Sequence, residues 1–122
     1  MMFSIDPRSA VPPFEQLRVQ VRDLVANGEL TPGTRLPTVR RLAGDLGLAT
    51  NTVARAYREL ETDGIIETRG RKGSFVSSHG GPAERRAQEA AAEFAQRIRN
   101  LGIDSESALA LAAAALKTRT TD

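Results

Sequence analysis

Cysteine is missing from all 122 residues. Disulfides and thiolate chemistry are therefore excluded. Also missing is a charged N-terminal segment followed by an apolar run, so no signal peptide is expected. No stretch approaches the roughly 20 apolar residues needed to cross a bilayer, so the expectation is a cytoplasmic protein with no membrane partner. Charge of one sign is scarce too. The net charge is +2, with 11 basic against 9 acidic residues through Ser78 and 6 against 6 after it. Any nucleic-acid argument must rest on where the arginines sit, because bulk charge does not carry it. The chain has no paired carboxylates, P-loop, nucleophile elbow or metal-ligand spacing. No enzyme, cofactor or metal site is expected, and the single histidine, His79, reads as a solvent-exposed linker residue.

What is present is organised around Thr38 to Gly64. Val39, Leu42, Ala43 and Leu46 recur at the spacing of one helical stripe. Gly47 offers the left-handed conformation that ends a helix, and Leu48 turns back to the core. Thr50 is placed to cap a second helix, whose buried stripe is Val53, Ala56, Tyr57 and Leu60. The opposite face carries Asn51, Arg55, Arg58 and Thr62, none of them useful in a core. Two helices about a short glycine turn, the second with a polar, cationic outer face, read as a helix-turn-helix.

Residues 1–10 read as an extended arm. Pro12 and Pro13 open a first helix with Phe14, Leu17, Val21 and Leu24 buried, and Asn27-Gly28 closes it. Pro32-Gly33 marks a turn, Thr34 to Leu36 a very short strand, and Thr38 the cap of the next helix. Beyond Gly64, residues 65–68 and 74–77 read as two strands with Arg69 to Gly73 as the tip. A hairpin directly behind a helix-turn-helix is a wing. The expected fold is mainly α with a small β hairpin: a winged helix-turn-helix domain over 11–78, then a two-helix C-terminal dimerisation tail. Residues 79–82 form the linker, and the tail spans 83–122 with fraying expected from Thr118 to Asp122. Its apolar positions, Phe94, Ile98 and Leu101, then Leu109, Ala112 and Leu116, have too little partner surface within one chain. A homodimer is therefore expected.

Pro32-Gly33-Thr34, Leu36-Pro37-Thr38, Arg40, Leu42-Ala43, Leu46-Gly47, Asn51-Thr52-Val53, Ala56-Tyr57, Leu60, Asp63-Gly64-Ile65-Ile66 and Gly70 to Val76 stand in an order that resembles GntR-family bacterial transcriptional regulators. The short helical tail resembles the YtrA subfamily. The resemblance implies a repressor that binds double-stranded DNA, acting on its own gene and a transporter operon. It gives no reason to expect the aminotransferase-like domain of some relatives, and residues 83–122 are too few to enclose by themselves the ~300 Å³ of a ligand pocket. A small-molecule effector could bind between the tail and the winged domain of a dimer, but no residue cluster points to one.

In the family, the arginine of the L-P-x-x-R segment reaches DNA, and here that residue is Arg40. A guanidinium suits guanine O6 and N7 or a phosphate. Thr38 is grouped with it, while Arg41 reads as solvated. Thr50, Asn51 and Thr52 open the recognition helix, where base edges and phosphates lie. Family members often carry arginine at the position of Thr50, which puts strong guanine readout there in doubt. Arg55 points to base or phosphate, and for Arg58 a backbone contact competes with a pair to Glu61. Arg69, Gly70, Arg71 and Lys72 resemble a wing laid along the minor groove. Tyr57 matches the core spacing better than a stacking platform. Two alternatives stay open: a winged module that docks a protein partner, and a nonspecific architectural DNA binder.

Overall fold

The computed structural model describes residues 2–80 and 82–118; Met1, Gly81 and residues 119–122, which include most of the expected frayed end, lie outside the described residues. Helix α1 spans Pro13–Ala26, with Pro12 as N-cap and proline at its first position, where a missing N–H costs nothing. Leu17 and Val21 are fully buried along its inner side. Asn27 ends the helix, and Gly28 at φ 83° lets the chain reverse so that the Leu30 N–H donates to the Leu24 carbonyl at 2.9 Å. Helix α2 (Val39–Leu46) and helix α3 (Thr50–Thr62) form the expected helix-turn-helix. Thr38 caps α2 by accepting from the Arg41 N–H, and Gly47 ends it at φ 68°. The Leu48 N–H then donates to the Ala43 carbonyl at 2.9 Å, bringing Leu48 against the core.

Helix α3 is the hub, packing on α1, on α2 and on the strand that follows it. Its Val53, Ala56, Tyr57 and Leu60 are buried beside Leu17, Val21, Leu42, Ala43, Ile66 and Val76. Each large apolar side chain among them stabilises the fold by about 1.5–3 kcal/mol. The buried Tyr57 hydroxyl donates to the Pro37 carbonyl at 2.7 Å, tying α3 to the entry of α2.

Strands β1 (Ile66–Thr68) and β2 (Ser74–Val76) pair antiparallel, with Ile66 opposite Val76 and Thr68 opposite Ser74. The expected short strand at Thr34 to Leu36 is an isolated antiparallel bridge between Arg35 and Phe75. Leu36 donates to the Ser74 carbonyl and Val76 to the Thr34 carbonyl, both at 2.8 Å. Between the strands a single 3₁₀ turn covers Gly70–Lys72.

The N-terminal arm is fastened to α1. Phe3 is buried, and two glutamines of α1 act as rungs. Gln20 bonds both the N–H and the carbonyl of Ser4, and Gln16 does the same for Asp6.

Helix α4 (Pro82–Asn100) starts inside the segment read as a linker, and helix α5 (Ser105–Lys117) follows Gly102 and the cap Asp104. The stretch before α4 is pinned. Gln88 accepts from the His79 N–H and donates to its carbonyl, and Arg85 donates to the Ser78 carbonyl. Gly33 takes φ 85°, and a Cβ there would lie 3.2 Å from the Gln88 carbonyl oxygen. Glycine is thus what permits α4 to approach the Pro32-Gly33 turn. Farther along, Leu101 is 71% exposed, Leu109 70% and Leu116 87%. Leu111 and Phe94 are exposed as well, while Ile98 and Ala112 are half-buried.

Candidate nucleic-acid interface

The residue at the tip of α3 differs from the sequence expectation. Ala49, with extended backbone, occupies the N-cap position, and Thr50 is the first helical residue. The physical reason is the turn before it. Leu48 must fold back onto the Ala43 carbonyl, which leaves one extended residue before the helix begins. An alanine offers no acceptor, so no side chain caps α3. Thr52 and Val53 both donate to the Ala49 carbonyl, whereas the N–H groups of Thr50 and Asn51 stand at the helix start, where no intrahelical acceptor exists. Such amides, with the positive end of the helix dipole behind them, suit a phosphate oxygen. Thr50 and Asn51 are exposed and Thr52 half-buried.

The outer face of α3 is differentiated. Arg58 is exposed and not paired with Glu61, whose carboxylate accepts from the Thr68 hydroxyl at 3.1 Å. Arg55 is stacked instead, its guanidinium 3.7 Å from the centre of the Phe14 ring and 4.0 Å from Glu59. One oxygen of that carboxylate, Oε2, is buried with no hydrogen-bond donor. Phe14 and Glu59 therefore restrict where Arg55 can point, by a cation–π contact of about 0.5–1 kcal/mol at an exposed site. Helical spacing assigns Phe14 to the α1 core stripe and gives no sign of this contact, which joins two helices remote in sequence. Arg40 is exposed on α2, with no carboxylate within ion-pair distance among the described residues. Neighbouring Arg41 lies 3.9 Å from Asp45 and is largely solvated, as expected.

In the wing, Gly70, Arg71 and Lys72 are exposed at the 3₁₀ turn. Arg69 stands apart from them. Its guanidinium lies 3.6 Å from Glu67 and 3.5 Å from Glu89 of α4, donates to the Ser78 hydroxyl at 3.4 Å, and covers the Phe75 ring at 4.2 Å. Two carboxylates and an aromatic face draw it back against the tail, apart from the tip cations with which the sequence groups it. No local pattern around Arg69 could have revealed Glu89.

The model described as "Bacterial regulatory proteins, gntR family" matches residues 13–76. The chain belongs to the GntR family. It is 52% identical over 105 residues to the HTH-type transcriptional regulator Rv1152 of Mycobacterium tuberculosis, covering 86% of each chain. It is 45% identical over 78 residues to the HTH-type transcriptional repressor YtrA of Bacillus subtilis, covering 64% of this chain and 60% of that one. Among solved structures, YtrA from Sulfolobus acidocaldarius, a GntR-family transcription factor, superposes with a TM-score of 0.61 at 35% identity, over 75% of this chain and 97% of that one. This GntR-family chain is thus a DNA-binding transcriptional regulator of winged-helix fold with YtrA-type relatives. Among the described residues, no helix is long and apolar enough to cross a membrane.

Proposed function

We propose that the chain is a repressor that binds a pseudo-palindromic operator as a homodimer. The observation that carries this reading is the uncovered apolar face of the tail. Leu101, Leu109, Leu111 and Leu116 are each more than half exposed, and large apolar side chains left uncovered in this number on one tail support an interaction site. A second copy presenting the same stripe would bury it, and two-fold pairing is the commonest closed arrangement. Residues 11–78 would then read DNA and 83–122 hold the dimer together, with half-sites about one helical turn apart. Arg40, Asn51 and Arg58 would meet base edges or phosphates, the free amides of Thr50 and Asn51 a phosphate, and Arg71 and Lys72 the groove beside them. Thr38 and Thr52 flank this surface. Repression follows mechanically from a dimer that occludes polymerase, and a YtrA relative bears the name repressor.

The test is a titration of the DNA upstream of this gene, with excess unrelated DNA, at two salt concentrations. Saturation on that fragment alone is expected, with Arg40→Ala costing about 1–3 kcal/mol of specific affinity. Equal and steeply salt-sensitive binding to both DNAs would instead make the protein an architectural binder. No binding to either would favour docking to a protein partner.

A further inference from the structure

The tail and the wing do not simply abut. Between them lies a cleft of about 730 Å³, within the range of small-molecule sites. Its walls come from three parts of the chain that are remote in sequence: Arg35 from the bridge to β2, Arg71 and Lys72 from the wing turn, and Arg99 from α4. Glu89 and Glu93 of α4 also line it, as does Arg69. Arg69 and Glu89 satisfy each other at 3.5 Å, which leaves four cations facing one acid, Glu93. None of the four lies within ion-pair distance of a carboxylate among the described residues. Gly73 at φ 107° faces the Arg35 side chain, where an added Cβ would lie in ordinary van der Waals contact with Nε at 3.4 Å.

Like charges gathered on a concave surface focus a positive potential and repel one another, and a bound polyanion relieves both. From this geometry we infer that the cleft binds a compact polyanionic metabolite, phosphorylated or polycarboxylate, as a regulatory ligand. Arg35 from the winged domain and Arg99 from α4 hold it, together with Arg71 and Lys72 from the wing. Glu93 disfavours singly charged anions, which cannot offset its repulsion. The regulatory consequence rests on the function proposed above. Arg71 and Lys72 serve both DNA and the ligand, so occupancy draws the wing cations away from the groove and weakens DNA binding.

Isothermal titration of the full chain with pyrophosphate tests the site without any DNA. One pyrophosphate per chain is expected, with affinity falling about tenfold in Arg35→Gln and in Arg99→Gln, the effect of losing one charge-assisted contact. Arg86→Gln, an exposed α4 residue that does not line the cleft, is expected to bind as wild type. No binding by wild type overturns the proposal. So does binding that ignores Arg35 and Arg99, or that falls equally in Arg86→Gln. DNA titrations at constant ionic strength then test the coupling. Pyrophosphate should weaken wild-type binding and leave Arg99→Gln nearly unaffected. A pyrophosphate-free Arg99→Gln that has itself lost DNA affinity would assign the cleft to the nucleic-acid backbone and overturn the ligand site. Cleft binding with unchanged DNA affinity overturns the regulatory role.

Discussion

The phenol of Tyr57 shows how a single residue can be read in two ways until packing decides. An aromatic on a recognition helix invites a stacking role, but its spacing with Val53 and Leu60 places it inward, and it is buried with its hydroxyl on the Pro37 carbonyl. Burial disfavours the phenolate and raises its pKa above the ordinary value near 10. The folded state therefore keeps a proton that the unfolded chain loses. The stability contributed is fully present below about pH 10 and declines as pH rises beyond it. Tyr57 is the single tyrosine and there is no tryptophan, so the tyrosinate absorbance band reports this group alone. In an alkaline titration the tyrosinate signal should rise only together with loss of helical circular dichroism. A signal rising near pH 10 over an intact helix would place the phenol in solvent. The arginines show the opposite case. Arg55 and Arg69 carry the same charge as Arg58 and Arg71, yet Phe14 and Glu59 hold one and Glu67, Glu89 and Phe75 the other. Nothing adjacent in the chain distinguishes them.

Among the elements, α2 was legible because its signals are local: a threonine cap, an apolar stripe and a terminal glycine. Its two glycines predict opposite outcomes. Gly47 sits at φ 68°, and a Cβ added there would have nothing within 4 Å, so Gly47→Ala meets only backbone strain and should cost about 1–2 kcal/mol. Gly44 lies in the helix interior, equally unobstructed, and Gly44→Ala should stabilise by about 0.5–1 kcal/mol. Denaturant midpoints of the two variants should move in opposite directions; a shift in the same direction would remove the left-handed cap from the account of this turn. Helix α3 was legible in its stripe but not in its start. Whether Ala49 or Thr50 takes the cap depends on how far Leu48 folds back, and this is set by the core it enters. The wing strands fell within a residue of expectation, since alternation and the intervening glycines are local signals too.

At the scale of the whole molecule, the tail leaves Leu101, Leu109, Leu111 and Leu116 exposed. Dimerisation through its apolar stripe predicts that Phe94→Asp combined with Ile98→Asp yields monomers in sedimentation velocity while the winged domain keeps its circular dichroism. A persistent dimer would place the interface elsewhere. If folding and association are coupled, the melting temperature of wild type should also rise with protein concentration, and that of the double variant should not.

The sequence by itself determined the order of the helices, the helix-turn-helix, the position of the wing and the amphipathic tail. Each rests on interactions spanning a few residues, where side-chain periodicity and the conformational limits of glycine and proline are decisive. The tertiary structure alone decided which cations stay free, how Gln16 and Gln20 fasten the arm, how Gln88 and Gly33 seat α4, and that Arg35, Arg71, Lys72 and Arg99 share one cleft. Those relations join residues remote along the chain. Their energies depend on distance and burial in space, which no local pattern encodes.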